Sequence, residues 1–364
     1  MNWQFAATGP IIGALALGED GTLYAASEGG LLYALDATGS LQWKFDAGPM
    51  FAGPTVGEDG TIYVTNKEQR IFAINRAGIP QWTVGGDPYA GKPMGRTAGA
   101  IDQAFLYTPW HGMLRTIHLS TGRFESSAVM GFERSASVGI LPNGRIVQSG
   151  VFATDASGIT EWQNPVVDPP LNTYSLIDFN YHFPLSNSGM GSGIAVAFGG
   201  TFYATFHNLG LAAFTPAGTF LWNFKTKPPA INSANPVIAS DGTIYFAAGD
   251  GNLYALNPDG MQKWAVDTGR GIAASTPMIA EDGTIYSANG TALIAVSPEG
   301  KVLATVPIVG GVVSSPTLAP NGTIYIASQG GKILAFAGTH GGLMNSSWPK
   351  FQRDLANSGR ALPF

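Results

Sequence analysis

The stretch Asp241–Trp264, DGTIYFAAGDGNLYALNPDGMQKW, sets the architecture of the whole chain. Asp241-Gly242 is a turn signal. Thr243–Ala247 then alternates with period two, which puts Ile244 and Phe246 on one face of a half-buried strand. Gly249-Asp250-Gly251-Asn252 turns the chain into a second β-rich run, Leu253–Leu256. In Asn257-Pro258-Asp259-Gly260 the proline pre-sets φ at the second turn position and the glycine takes a left-handed one. Met261–Trp264 follows as a third strand ending in a bulky aromatic. A three-stranded meander of this size cannot bury its own faces. It needs copies.

The copies are present. The turn glycine before the Thr/Arg-aliphatic-aromatic strand recurs at Gly21, Gly60, Gly144, Gly200, Gly242, Gly283 and Gly322, with successive gaps of 39, 84, 56, 42, 41 and 39. The gap of 84 is two periods, filled by a degraded unit with AFLYT at Ala104–Thr108 and RTIHL at Arg115–Leu119. The second strand recurs as LYALD, IFAIN, LAAFT, LIAVS and ILAFA. The closing aromatic recurs at Trp43, Trp82, Phe124, Trp162, Trp222 and Trp264, with Leu303 in its place in the seventh unit. Units of roughly 40 residues with several short strands each are the signature of a propeller. The expected fold is all-β: a single eight-bladed β-propeller of four-stranded antiparallel blades, with seven blades as the competing count.

A fourth strand lies between each closing aromatic and the next turn, often opening with proline (Pro54, Pro236, Pro277, Pro316). Proline is tolerated there because the innermost strand of a blade is an edge strand. The eighth unit stops at Ile333–Ala337 without a closing strand. Asn2-Trp3-Gln4-Phe5 matches Gln42-Trp43-Lys44-Phe45, so the N-terminal strand is expected to complete the last blade and close the ring. The expected organisation is one domain over 1–364, with a loop insertion at about 163–192 and a tail at about 338–364.

Composition narrows the class. Charged residues are only 12% of the chain, with 49 glycines and a net charge of −5, which suits a secreted or periplasmic all-β protein. There is no basic excess to neutralise phosphates, so nucleic acid is not an expected partner. No apolar run reaches the roughly 18 residues of a transmembrane helix. With no cysteine, disulfides, thiolate catalysis and cysteine metal sites are excluded. Met1 is followed almost at once by a structural strand, and a removed signal peptide replaced by an initiator methionine is the preferred reading. The expected location is the periplasm or the exterior, and the expected state a monomer.

The units DGTIYVTN…IFAINRAGIPQW, DGTIYFAAGDGNLYALNPDGMQKW and NGTIYIASQGGKILAFA resemble the repeats of the PQQ-like propeller superfamily, which includes quinoprotein alcohol dehydrogenases and the assembly lipoprotein BamB. Ala34–Trp43, ALDATGSLQW, is similar to that family's tryptophan-docking motif, A-x-D-x-x-T-G-K-x-x-W, one residue short. The resemblance implies that these tryptophans pack between blades. Ser347–Asp354, SWPKFQRD, is similar to a W-P-x-F-x-x-D segment found beside such repeats. Quinoprotein dehydrogenases carry a vicinal cysteine pair against the cofactor, which this chain cannot form, and their calcium and base constellation cannot be placed on it. PQQ-dependent redox chemistry therefore ranks third among the readings, and no cofactor is assigned.

In a propeller the interblade connections and the loops between second and third strands share one face, and the DG and NPDG turns share the other. The second face is minimal here. The first is elaborate: the connection from Trp162 to Gly200 takes 38 residues where Trp222 to Gly242 takes 20. Variable loops on a rigid scaffold are where binding residues concentrate. The long connection carries Asp178, Tyr181 and His182; neighbouring loops on that face supply Arg96, Trp110, His111, Arg134, His207, Lys227 and Arg270. Arginines and lysines there suit an anionic ligand, such as a carboxylate or acidic sugar, or else form salt bridges between blades. Trp110 and Tyr181 suit stacking on a sugar, or a hydrophobic lid. No HxH or HxxxH spacing appears, so no metal site is assigned. His118, inside a strand, reads as structural.

Two classes of function follow. The first is a non-catalytic propeller of the bacterial envelope or exterior that binds a protein partner or a small anionic or carbohydrate ligand at the channel mouth. The second is a lyase or hydrolase acting on an anionic carbohydrate, with Arg96, Arg134 and Arg270 clamping carboxylates and His182, His111 and Tyr181 as acid–base groups.

Overall fold

A computed structural model of the protein describes residues 1–86, 99–110, 113–129, 138–148, 152–154, 160–163, 193–206, 210–227, 234–269, 275–312, 314–338 and 341–361. Among these residues, strands form eight four-stranded antiparallel sheets, each ordered from an innermost to an outermost strand. These are the eight blades. In blade 6 the strands are Val237–Ile238, Ile244–Ala247, Asn252–Leu256 and Gln262–Asp267. Blade 3 is the degraded unit, with Phe105–Trp110 paired to Met113–His118. Prolines 54, 236, 277 and 316 each stand directly before a two-residue innermost strand, outside its ladder, where a missing N–H loses no hydrogen bond.

Trp3–Ala6 pairs antiparallel with the third strand of blade 8, Trp3 opposite Ala335 and Ala6 opposite Lys332. The N-terminus therefore supplies the outermost strand of the last blade. Blades 8 and 1 are also joined at the inner rim, where Thr317 Oγ1 donates to the Leu15 carbonyl at 3.1 Å.

The middle strands are buried on both faces, not one. Ile244 and Phe246 pack towards blade 5 with Phe202 and Phe214, while Tyr245 and Ala247 pack towards blade 7 with Ile279 and Ile285. Blades stack face to face, so both sides of the pleat are covered; period two alone could not distinguish that from a half-buried strand. Only the outermost strands alternate between half-buried and exposed, as in Gln262–Asp267.

Among the described side chains, five tryptophans each dock their outermost strand onto the next blade. Nε1 of Trp3, Trp43, Trp82, Trp222 and Trp264 donates to the carbonyls of Ala37, Arg76, Leu119, Pro258 and Pro298, at 2.7 to 3.0 Å. Each ring lies on a turn glycine of positive φ, and a Cβ on Gly39, Gly78, Gly122, Gly260 or Gly300 would sit 2.6 to 2.8 Å from it. The far face meets a tyrosine of its own blade, as in Tyr24–Trp43 and Tyr245–Trp264. Trp162 keeps the same register opposite Ala153.

Two expected closing residues sit elsewhere. Blade 3 has the same bulge as the blades that dock a tryptophan, and its register puts Ser126 at the docking position, with Phe124 two residues earlier and 46% exposed. In blade 7 the docking position is Ala304, opposite Ala295, and Leu303 points to solvent. Blade 7 has no use for a tryptophan. The acceptor for each indole is the turn between the third and fourth strands of the next blade, and blade 8 has no such turn because its fourth strand comes from the N-terminus.

Candidate functional site

Of the residues singled out from sequence, Trp110 and Lys227 are among the described ones. Arg96, His111, Arg134, Asp178, Tyr181, His182, His207 and Arg270 lie outside the described residues. Trp110 ends the second strand of blade 3, with its backbone opposite Met113. Lys227 is exposed, on the connection leaving blade 5, and its backbone N–H donates to Asp250 Oδ2 at 3.1 Å. Asp250 also accepts from the Tyr254 hydroxyl at 2.6 Å, and burial with this carboxylate raises the tyrosine pKa. Asn66 Nδ2 similarly holds the Ala47 carbonyl at 2.6 Å. On the loop-rich face each such pair ties an interblade connection to the following hairpin, so the loop bases are fixed by polar clasps. His118 is half-buried, bonded through Nδ1 to Ser120 at 3.1 Å and edge-on to Phe105. It is structural, as its strand position suggests.

On the opposite face the turns are nearly copies. In the DG turns, Gly18, Gly57, Leu141, Ala197, Ala239, Ala280 and Ala319 each donate N–H to the residue four positions on, at 2.8 to 2.9 Å. The hub between them is filled by the tail. Leu17, Val56, Ile101, Ile140, Ile238 and Ile279, on the innermost strands of six blades, donate their N–H groups to carbonyls of Leu355, Ala356, Ser358, Gly359, Trp348 and Pro349, at 2.8 to 2.9 Å. Edge donors that would otherwise face the channel are thereby satisfied.

Trp348, Lys350, Gln352 and Asn357 are fully buried in this plug. Lys350 Nζ donates to the carbonyls of Phe351 and Asp354 and to Asn357 Oδ1, at 3.1, 2.9 and 2.7 Å. Three acceptors match the three protons of an ammonium. Burial nevertheless pulls the lysine pKa down, to about 7, against the opposing pull of Asp354. Asn357 Nδ2 in turn donates to the Leu15 and Pro54 carbonyls. Sequence reading recognised the tail motif without its place; SWPKFQRD has no strand period and no counterpart in the repeats.

Where the plug meets the turns of blades 1 to 3, a cavity of about 460 Å³ opens. Its apolar lining includes Leu17, Val56, Ile101 and Ala356; its charged lining includes Glu19, Asp20, Glu58, Arg76, Arg353 and Arg360. Asp354, also in the wall, accepts from Arg353 Nη1 at 3.1 Å, from Ser358 N–H at 2.9 Å and from the Ser358 hydroxyl. Asp102 accepts from Ala104 N–H, Phe105 N–H and the Tyr107 hydroxyl, each at 2.8 Å. Arg360 reaches Glu58 at 4.0 Å, and that carboxylate is 85% exposed. No sequence signal marks this cavity, because segments far apart in the chain build it.

Among the described residues, no group of three His, Asp or Glu side chains is placed to hold a metal ion, and no helix is long and apolar enough to cross a membrane. The ring, clasp and plug define a closed eight-bladed propeller built on a repeated docking tryptophan. The chain belongs to the PQQ-like propeller family whose model is described as "Outer membrane protein assembly factor BamB", which matches residues 2–146 and 147–352. It is similar in fold to BamB from Moraxella catarrhalis, with a TM-score of 0.71 at 13% identity over 92% of this chain and 98% of that one. It is also similar to the computationally designed Ika8 protein, with a TM-score of 0.68 at 12% identity over 91% and 97%. A stretch of 49 residues, 14% of this chain, is 41% identical to "Uncharacterized protein YxaL" of Bacillus subtilis (strain 168). That stretch spans 12% of the relative's length.

Proposed function

We propose that this protein is a non-catalytic binding propeller of the bacterial cell envelope or exterior, which engages a protein partner through its loop-rich face. The observation that carries this reading is the asymmetry between the two faces. One end of the ring is made of near-identical turns and closed by the plug. The other carries connections of unequal length, the longest 38 residues against 20, on bases fixed by polar clasps. Uniform turns hold a ring together; unequal loops on a rigid base make a surface that can be specific. Membership of a family described by an outer-membrane assembly factor supports both the partner class and the compartment.

The test is site-specific photo-crosslinking in producing cells, with the photoreactive residue at Lys227 on the loop-rich face or at Asp259 on the turn face. The expected result is discrete protein adducts from position 227 and none from position 259. Adducts from position 259 alone, or from neither position, would overturn the assignment of the face. Fractionation of the same cells checks the compartment: protein retained with the cytoplasm would remove the envelope reading.

A further inference from the structure

We infer that the cavity between the plug and blades 1 to 3 is a binding site for a zwitterionic ligand of amino-acid type, either a free amino acid or a very short peptide with an apolar side chain. The cavity is on the face opposite the loops and is independent of the partner surface proposed above.

Its size falls within the range of small-molecule sites, roughly 300–1,000 Å³. Charge is arranged so that both signs remain available. Two carboxylates in the wall are consumed by the fold: Asp354 and Asp102 each accept three hydrogen bonds from neighbouring donors. Glu19 and Asp20 are exposed at the rim, and Asp20 binds only the Thr22 N–H among the described residues. Arg353 and Arg360 both line the cavity; Arg353 spends Nη1 on Asp354, but its Nε is buried without a partner among the described residues. The long contact of Arg360 with exposed Glu58 is too weak to hold that guanidinium against a better acceptor.

Two neighbouring guanidiniums suit a carboxylate, which can take a fork from either. The rim carboxylates suit an ammonium. Between them Leu17, Val56, Ile101 and Ala356 form an apolar floor for a side chain. A simple anion would meet the uncompensated carboxylates, and a simple cation the arginines. A ligand bearing both charges satisfies both sets.

The experiment is isothermal titration of the full chain with L-leucine, L-phenylalanine and leucyl-leucine, beside N-acetyl-L-leucine and L-leucinamide, which each lack one charge. Binding of at least one zwitterion is expected, with each blocked compound at least tenfold weaker. Arg360→Gln is expected to weaken binding tenfold or more, while Lys301→Gln, on blade 7, leaves it unchanged. No binding of any zwitterion at millimolar concentration, equal binding of the blocked compounds, or an unaffected Arg360→Gln would each overturn the assignment. Should Arg360→Gln fail to fold, the comparison of free and blocked ligands on the unaltered protein decides the matter. The crosslinking at Lys227 tests the opposite face, so the two readings fail separately.

Discussion

Gly78 and Trp43 show how a single residue pair can hold two blades in register. The turn glycine has φ of +80°, where a side chain is strained, and its missing Cβ leaves the space in which the indole lies. Gly78→Ala should therefore destabilise through both backbone and clash, by about 2 kcal/mol or more. Trp43→Ala should lose about 3 kcal/mol, since a large ring and its hydrogen bond to the Arg76 carbonyl go together. Urea unfolding with both single variants and the double variant tests the coupling; the two losses should not add. Lys350 supplies a pH signature. Its pKa is about 7 in the folded protein, against roughly 10.4 for an unfolded lysine. Between those values the unfolded chain holds a proton that the folded chain releases, so stability rises with pH across the window. Tyr63 and Tyr245, pushed up to about 12 by burial and nearby carboxylates, act in the reverse sense above pH ~10, where unfolded tyrosines ionise first. The melting temperature should climb from pH 7 to near 10 and then fall. Lys350→Met should flatten the climb and leave the fall.

The tail is the element on which the hub depends. Trp348→Ala should destabilise by about 3–5 kcal/mol, because the ring is fully enclosed and its space cannot collapse within a closed set of blades. Removing residues 341–364 should leave the innermost N–H groups of six blades without acceptors. Hydrogen exchange at Leu17, Val56, Ile101, Ile140, Ile238 and Ile279 should accelerate together, while amides of the third strands remain protected. Uniform acceleration throughout the ring would show instead that the plug is needed for the blades to form at all. Much of the architecture was readable before the structure: the turn glycines gave the blade count, and the match of Trp3 to Trp43 gave the clasp. The plug was not, because its residues answer to six different blades and to no internal period. Phe124 was misplaced as a docking residue because it is the aromatic nearest the expected spacing, yet it holds the position of Leu41 and Phe220, two residues before the docking one. The cavity was unreadable for a related reason: positions 17–20, 56–60, 101–103 and 353–361 converge only after the ring closes.

At the scale of the whole molecule, the docking tryptophans divide the ring unevenly. Junctions 8|1, 1|2, 2|3, 5|6 and 6|7 carry an indole seated on a glycine turn, whereas 7|8 has alanine at that position and 3|4 has serine. These two junctions lie diametrically opposed, and the plug spans both by bonding to blades 4, 6 and 7 on one side and 1 to 3 on the other. Asn357, whose side chain bonds Leu15 across 342 positions of sequence, belongs to the same strap. Ala304→Trp should add nothing at the 7|8 junction, because the turn that would receive the indole does not exist there. Chemical denaturation should place the variant within about 0.5 kcal/mol of the parent, the range of surface substitutions remote from special features.

The position of the plug in the sequence has a further consequence, for biogenesis. Residues 341–361 follow every blade, and the strand that seals blade 8 precedes them all. A nascent chain can stack blades one upon another as they emerge, but it cannot lock the ring until both extremities are free to meet. Contacts of such long range make folding slow and leave the open intermediate with exposed strand edges and an empty hub. This protein is thus built to complete its fold only after synthesis has passed the last repeat, and until then chaperones meet a chain that is still pliable.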